Sequence, residues 1–274
     1  MKQYPHVISE LFYKPLLITH ARHSAIVKIL EARLVNGHAH KRAQMEDDGD
    51  EPGAPQPPDF RVIGNAAVIQ VHGVIVRHAS DIPASSCGCG LDEVFDMVDM
   101  AMSDNAVERL VFDFRTPGGS VNGVPELAAR IAGIQRKQTI AFTDSECCSA
   151  GVWLATQCQA FYASPSASVG SIGVWTAYLD LSRQMAMEGE AIQAVSAGKF
   201  KLLGAYWKPL TDEEKKMLQS DVDRIYGQFK DAVNSRRQIA DEFMQGQIWD
   251  GQQACEVGVC DGLMDDLSEL LDEE

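Results

Sequence analysis

Ser149 closes the turn-like run Asp144-Ser145-Glu146-Cys147-Cys148 and precedes a small-residue step, Ala150-Gly151, and the apolar run Val152-Trp153-Leu154-Ala155. The pattern places this serine where a strand and loop give way to a short buried helix. A helix N-terminus carries free N–H groups and a partial positive charge. That placement suits a nucleophilic hydroxyl and the oxyanion it would generate. It suits a plain helix cap equally well, because serine is a preferred capping residue. A second candidate element is Thr116-Pro117-Gly118-Gly119, directly after an apolar strand. Two glycines allow a sharp turn and a close backbone approach, with N–H groups free to face an anionic oxygen. The N–H of Gly119, paired with that of Ala150, would make an oxyanion hole.

The base is the harder residue to find. All seven histidines lie at or before His78 (His6, His20, His23, His38, His40, His72, His78), and none lies among the other candidates. A serine–histidine–acid triad would have to recruit His72 or His78, in or just after an early strand. A lysine is the other known partner of a serine nucleophile, provided burial keeps its amine neutral. Lys199 and Lys201, in Ser196-Ala197-Gly198-Lys199-Phe200-Lys201-Leu202-Leu203, follow an apolar stretch. Residue types alone leave these lysines equally readable as solvated surface groups. Cys147 and Cys148 read as small residues packing beside the serine turn, since no histidine is near to make a thiolate. Cys87-Gly88-Cys89 lacks a second pair at ligand spacing, so no metal is expected.

The elements that must position these residues alternate between strand and helix. Strands are expected at Ala66–Val76 with a break at His72-Gly73, and at Leu110–Phe114, Thr139–Phe142, Ala160–Ala163 and Ala191–Val195. Helices are expected at Leu91–Met102, Val121–Ile134, Ala177–Met187 and Thr211–Arg237, the last opened by the capping sequence Thr211-Asp212-Glu213-Glu214. Ile248–Val259 reads as a strand and a short helix. Such alternation implies an α/β fold with a largely parallel sheet covered by helices. Residues 1–44 read as a mostly helical arm, with Ile26, Ile29, Leu30 and Leu34 on one face. Residues 45–59 read as an acidic, proline-rich linker. The compact domain then spans 60–265, and 266–274 form an acidic tail.

The 274 residues carry a net charge of −15. Six acids fall in residues 45–60 and seven in residues 261–274, neither run holding a base, so the remainder is close to neutral. Nucleic-acid binding would need a basic patch, and none is visible. No stretch approaches the length of a membrane-spanning helix. The seven cysteines, an odd number, fit reduced thiols inside a cell.

From about residue 66 to 265 the chain resembles the signal peptide peptidase A family of serine proteases, and within it the phage head-maturation proteases of the protein C type. The likeness is carried by Asp113-Phe114-Arg115-Thr116-Pro117-Gly118-Gly119, Cys148-Ser149-Ala150-Gly151, Gly170-Ser171-Ile172-Gly173-Val174 and Gly198-Lys199-Phe200-Lys201, in that order. The resemblance implies the fold shared by the Clp protease proteolytic subunit and the crotonases. It assigns Ser149 as nucleophile and Lys201, not Lys199, as general base. Ser171 would orient the lysine amine, and Gly119 would be the oxyanion donor beside Ala150. It implies a serine endopeptidase without cofactor or metal, acting on capsid, scaffold or portal proteins, in the host cytoplasm or the viral procapsid. Ring-shaped homo-oligomers follow from the same likeness, and in some bacterial members serine and lysine come from adjacent subunits. Two other readings stand beside it: a cytoplasmic bacterial peptidase, and a procapsid scaffolding component with an incidental site. A crotonase-like acyl-CoA enzyme would need acids in place of Ser149 and Lys201.

Overall fold

The computed structural model describes residues 15–35, 61–78 and 88–271. The acidic linker at 45–59 and Cys87 lie outside the described residues. The first described elements are a short strand, β1 (Leu16–Ile18), and the helix α1 (His20–Val35), which contains the amphipathic run expected in the arm. Strands β2 (Arg61–Ile63) and β3 (Ala66–His72) follow, then β4 (Val74–Val76) and β5 (Gly88–Gly90). The expected break between β3 and β4 falls at Gly73, whose φ of 88° is the left-handed region that glycine enters without steric cost.

Next come α2 (Leu91–Ser103), β6 (Arg109–Arg115), β7 (Gly118–Ser120), α3 (Val124–Ala132), β8 (Gln138–Thr143) and β9 (Glu146–Cys148). The chain continues through α4 (Ala150–Ala155), β10 (Ala160–Ala163), β11 (Ser168–Gly170), α5 (Ser182–Met187) and α6 (Asp212–Asn234). It closes with β12 (Ile248–Trp249), α7 (Gly251–Glu256) and β13 (Gly262–Leu263).

The central sheet has six strands in the order β13-β10-β8-β6-β3-β2. Every pairing in it is parallel except that of β2 with β3. Its middle strands read as near-continuous apolar runs because both faces are covered. Ile69, Val71, Phe112 and Phe114 point into the main core, where Leu91, Val94 and Val98 of α2, Leu127 and Ile131 of α3, and Trp153 of α4 pack. Ala66, Val111, Ile140 and Phe142 point to the opposite face and meet Leu270. The acidic tail therefore contributes a packed residue: a 3-10 turn at Leu267–Leu270 buries Leu270.

Two smaller sheets lie beyond the carboxyl ends of these strands and frame the site. One has the order β1-β7-β4-β5, the other β12-β11-β9. None of the described helices is long and apolar enough to cross a membrane.

Two expectations fail between β11 and α6. Ala191–Val195 forms no strand: its residues are exposed, Val195 completely so, and no neighbouring strand offers hydrogen bonds. The helix expected at Ala177–Met187 is confined to Ser182–Met187, with no buried residue. An apolar run without a covering surface has nothing to hold it in a regular element.

Candidate active site

Thr116 joins the two candidate turns. Its N–H donates to Glu146 O (2.7 Å), and its own carbonyl accepts from Cys148 N (3.0 Å). Its hydroxyl donates to Gly73 O (2.6 Å) and accepts from Gly118 N (3.1 Å). One fully buried residue thus holds the strand leading into Ser149 through its backbone and ties the double-glycine turn to the break at Gly73 through its hydroxyl. Its part in the Thr-Pro-Gly-Gly pattern gave no hint of this bridging role, because the partners are 30 or more positions away on one side and 43 on the other.

The double glycine is dictated by crowding. A Cβ on Gly119 would sit 1.9 Å from Ile75 O of β4. Gly118 has φ +96°, and a Cβ there would meet Leu17 O at 1.9 Å and Ser149 Cβ at 2.9 Å. The small step after the serine has the same origin: a Cβ on Gly151 would lie 2.6 Å from Thr116 Cγ2.

Ser149 sits at the head of α4 with φ 54° and is 1% exposed. Its N–H donates to Gly170 O (2.8 Å), and its carbonyl accepts from Trp153 N (3.0 Å). No side-chain capping bond is made, so the hydroxyl is not spent on the helix it precedes. Ser149 and Ser171 (φ 58°) are the non-glycine residues held at positive φ among those described. Such backbone strain persists only where the surroundings enforce it, and it concentrates at functional sites. Here β9 and β11 pair in parallel, Cys148 opposite Gly170, and carry the two serines out of the sheet side by side.

Ala150, the first residue of α4, is fully buried, and first-turn N–H groups have no intrahelical acceptor. Helix α4 is held from behind by Trp153, stacked on Phe229 of α6 with ring centroids 4.7 Å apart and planes 8° from parallel. Ser149, Ala150, Gly118, Gly119 and Ser171 are therefore gathered at one spot.

Lys201 is not brought there by the single chain. It lies on an exposed turn, its N–H bonded to Gly198 O (3.1 Å), while Ser149 is buried. Lys199 is exposed as well and pairs with Glu213 (2.7 Å). His72 is bound to Asp113 by a 2.8 Å contact from Nε2 to Oδ2. Both leave the sheet on the face opposite Val71, Phe112 and Phe114, and so turn away from α4. The histidine is therefore a partner of Asp113, whose neighbour Arg115 reaches Asp144 at 3.0 Å.

Burial pushes the Cys147 and Cys148 thiols well above the ordinary range, with added repulsion from Cys148 on the first and from Glu146 on the second. Neither is a ready thiolate, and both serve as packing residues next to the serine turn. Burial likewise pushes Cys89 up to about 12.

A largely parallel sheet thus carries a strained serine at the head of a buried helix, with a double-glycine strand beside it, an α/β arrangement that suits acyl transfer. The chain belongs to peptidase family S49, whose model matches residues 134–273. It is 26% identical to capsid assembly protease C of Escherichia phage lambda over 280 residues, covering 96% of this chain and 64% of that protein. It is 24% identical to head-tail preconnector protein GP5 of Enterobacteria phage P21 over 275 residues, covering 94% of this chain and 55% of that protein. The chain thus spans between 55% and 64% of the length of these two relatives. Among solved structures, an enoyl-CoA hydratase from Shewanella pealeana superimposes with a TM-score of 0.48 at 10% identity, covering 79% of this chain and 71% of that one.

Proposed function

We propose that this chain is a serine endopeptidase of the Ser-Lys type that cuts scaffold and capsid proteins during phage head maturation. The observation that carries the reading is Ser149 itself. It is a buried, left-handed serine at the head of α4, with no capping bond and with the Gly119 strand against its Cβ.

In this mechanism a neutral Lys201 amine takes the proton from Ser149 Oγ, which attacks the peptide carbonyl. The N–H groups of Gly119 and Ala150 stabilise the tetrahedral oxyanion. The protonated lysine then gives its proton to the leaving amine, and water releases the acyl group by the same route. Ser171 orients the amine. Because Lys201 is exposed in one copy, the pair is completed between adjacent copies of an oligomer. Support comes from the segment that carries Lys201, which leaves Leu179, Met187, Ile192, Val195 and Phe200 uncovered. Large apolar side chains grouped on one exposed segment mark a contact surface.

The relatives' names, a capsid assembly protease and a head-tail preconnector, favour procapsid proteins as substrates over general peptide degradation. The test incubates the chain, or Ser149→Ala, with capsid and scaffold proteins and identifies fragments by mass. Discrete fragments that require Ser149 are expected. Fragments of the same masses and yield from Ser149→Ala would assign the cleavage to something else.

A further inference from the structure

The strand β1 comes from the arm, yet it lies inside the candidate site. It pairs antiparallel with β7, Leu16 opposite Ser120, Leu17 opposite Gly119 and Ile18 opposite Gly118. On its other side Leu16 exchanges two backbone bonds with Trp175, donating to Trp175 O (2.8 Å) and accepting from Trp175 N (3.2 Å). A strand turns successive peptide groups to opposite sides. With Leu16 committed to Trp175, the N–H and C=O of Leu17 turn toward β7 and face Gly119. The next bond on that side, Thr19 N to Pro117 O (3.1 Å), fits the same alternation. The Leu17 carbonyl oxygen and Ser149 Cβ flank the same point, the place a Cβ on Gly118 would take.

The segment is well held. Leu16, Leu17 and Ile18 are at most 3% exposed. Trp175 Nε1 donates to Ile18 O (2.9 Å), His23 packs edge-on against the Trp175 ring at 4.5 Å, and Arg22 pairs with Glu146 (3.2 Å). The slot also continues past the strand. Pro15 lies at the edge of a cleft of about 770 Å³ that Val121, Asn122, Glu126, Arg77 and Arg224 help to line. An extended peptide running antiparallel to β7 would follow that cleft upstream and use the same backbone partners.

We propose that Leu16–Ile18 is a tethered blocker of the site, its Leu17 carbonyl occupying the place of the scissile carbonyl at Gly119, and that this strand must leave before a substrate chain can reach Ser149. The inference rests on the peptidase reading above. It commits to an occupant, the chain's own arm, and to a consequence: the protein is held shut until a competing strand or an assembly contact withdraws β1.

The test reads Ser149 with a rhodamine-bearing fluorophosphonate, in the full chain and in Leu17→Asp, which sets a carboxylate where leucine is fully buried. Circular dichroism confirms that the variant is folded. Labelling at least about tenfold faster in the variant is expected, the factor being set by the fraction of open molecules in the parent. Equal rates in two folded proteins would overturn the blocker. Silence in both, with native mass spectrometry showing assembled copies in each sample, would show that Ser149 is no nucleophile, which defeats the peptidase reading and the inference with it. Should Leu17→Asp not fold, hydrogen exchange on the parent decides. Fluorophosphonate on Ser149 must expel β1, so amide protection at Leu17 and Thr19 falls on labelling. Protection unchanged by the label would refute the proposal.

Discussion

At the scale of single residues, the site is governed by how closely backbones approach. Gly119 is needed for contact rather than for an unusual torsion, since its Cβ position is already filled by Ile75 O at 1.9 Å. Gly119→Ala is therefore expected to push β7 off β4. The cost is at least about 2 kcal/mol of stability, at the upper part of the range for overpacking. A urea midpoint equal to that of the parent would mean that the two strands can separate freely. The turns at Ser149 and the glycine pair were legible in the sequence because each imposes a residue type on a short local pattern, whereas Ser171 was singled out only by the family resemblance. Thr116 and Trp175 were not. Their importance comes from partners supplied by distant segments, Gly73 and Glu146 for the one and Leu16 and Ile18 for the other. His72 shows the converse, a residue type suited to catalysis that the strand's alternation turns toward Asp113.

At the scale of elements, the sequence was most informative where periodicity extends over several residues. The strand break at Gly73, strand β10 and the long helix α6 fall as expected, the helix opening at the capping box Thr211…Glu214. The three-residue strands β1, β7, β9 and β11 carry no periodicity to read, and they are the ones that build the site. Ala191–Val195 fails for the opposite reason, an apolar pattern with no partner strand. The box at α6 allows a sharper expectation. Glu214 accepts from Lys208 Nζ (2.6 Å) and from Thr211 N (2.8 Å), and these bonds, Lys208 first, hold its carboxyl below the ordinary 4.5. A carboxyl lowered on folding stabilises the fold above its unfolded pKa, and that contribution fades as pH falls through the folded value. Glu214→Gln should therefore be less stable than the parent at pH 7, with the gap closing as the solution is acidified below 4.5. Thr211→Ala, which removes the cap and a lesser bond to the Glu214 carboxylate (3.1 Å), should cost about 1 kcal/mol with a pH dependence of the same sign but smaller. Urea midpoints across pH separate the two, and a Glu214→Gln deficit that grows in acid would reverse the assigned sign.

At the scale of the whole molecule, the buried serine and the exposed lysine pose one geometric question. A dyad within one chain requires the Lys201 turn to fold back over Ser149. A dyad between copies requires only that the uncovered segment bearing Leu179, Met187, Val195 and Phe200 seat against a neighbour. In a closed ring each interface is repeated, so every serine would meet the lysine of the next copy. The two arrangements differ when inactive variants are mixed. Ser149→Ala keeps the lysine and Lys201→Ala keeps the serine. Coassembled in equal amounts, they restore both groups at about one interface in four if neighbours are drawn at random. Cleavage of a capsid or scaffold substrate should then return to roughly a quarter of the parent rate. Refolding the two variants together from urea ensures that the copies exchange, and native mass spectrometry verifies mixed assemblies. If mixed assemblies form and stay inactive, Lys201 serves the serine of its own chain and the exposed turn must move to reach it. If activity returns, the uncovered apolar segment has its occupant, and assembly itself completes the site.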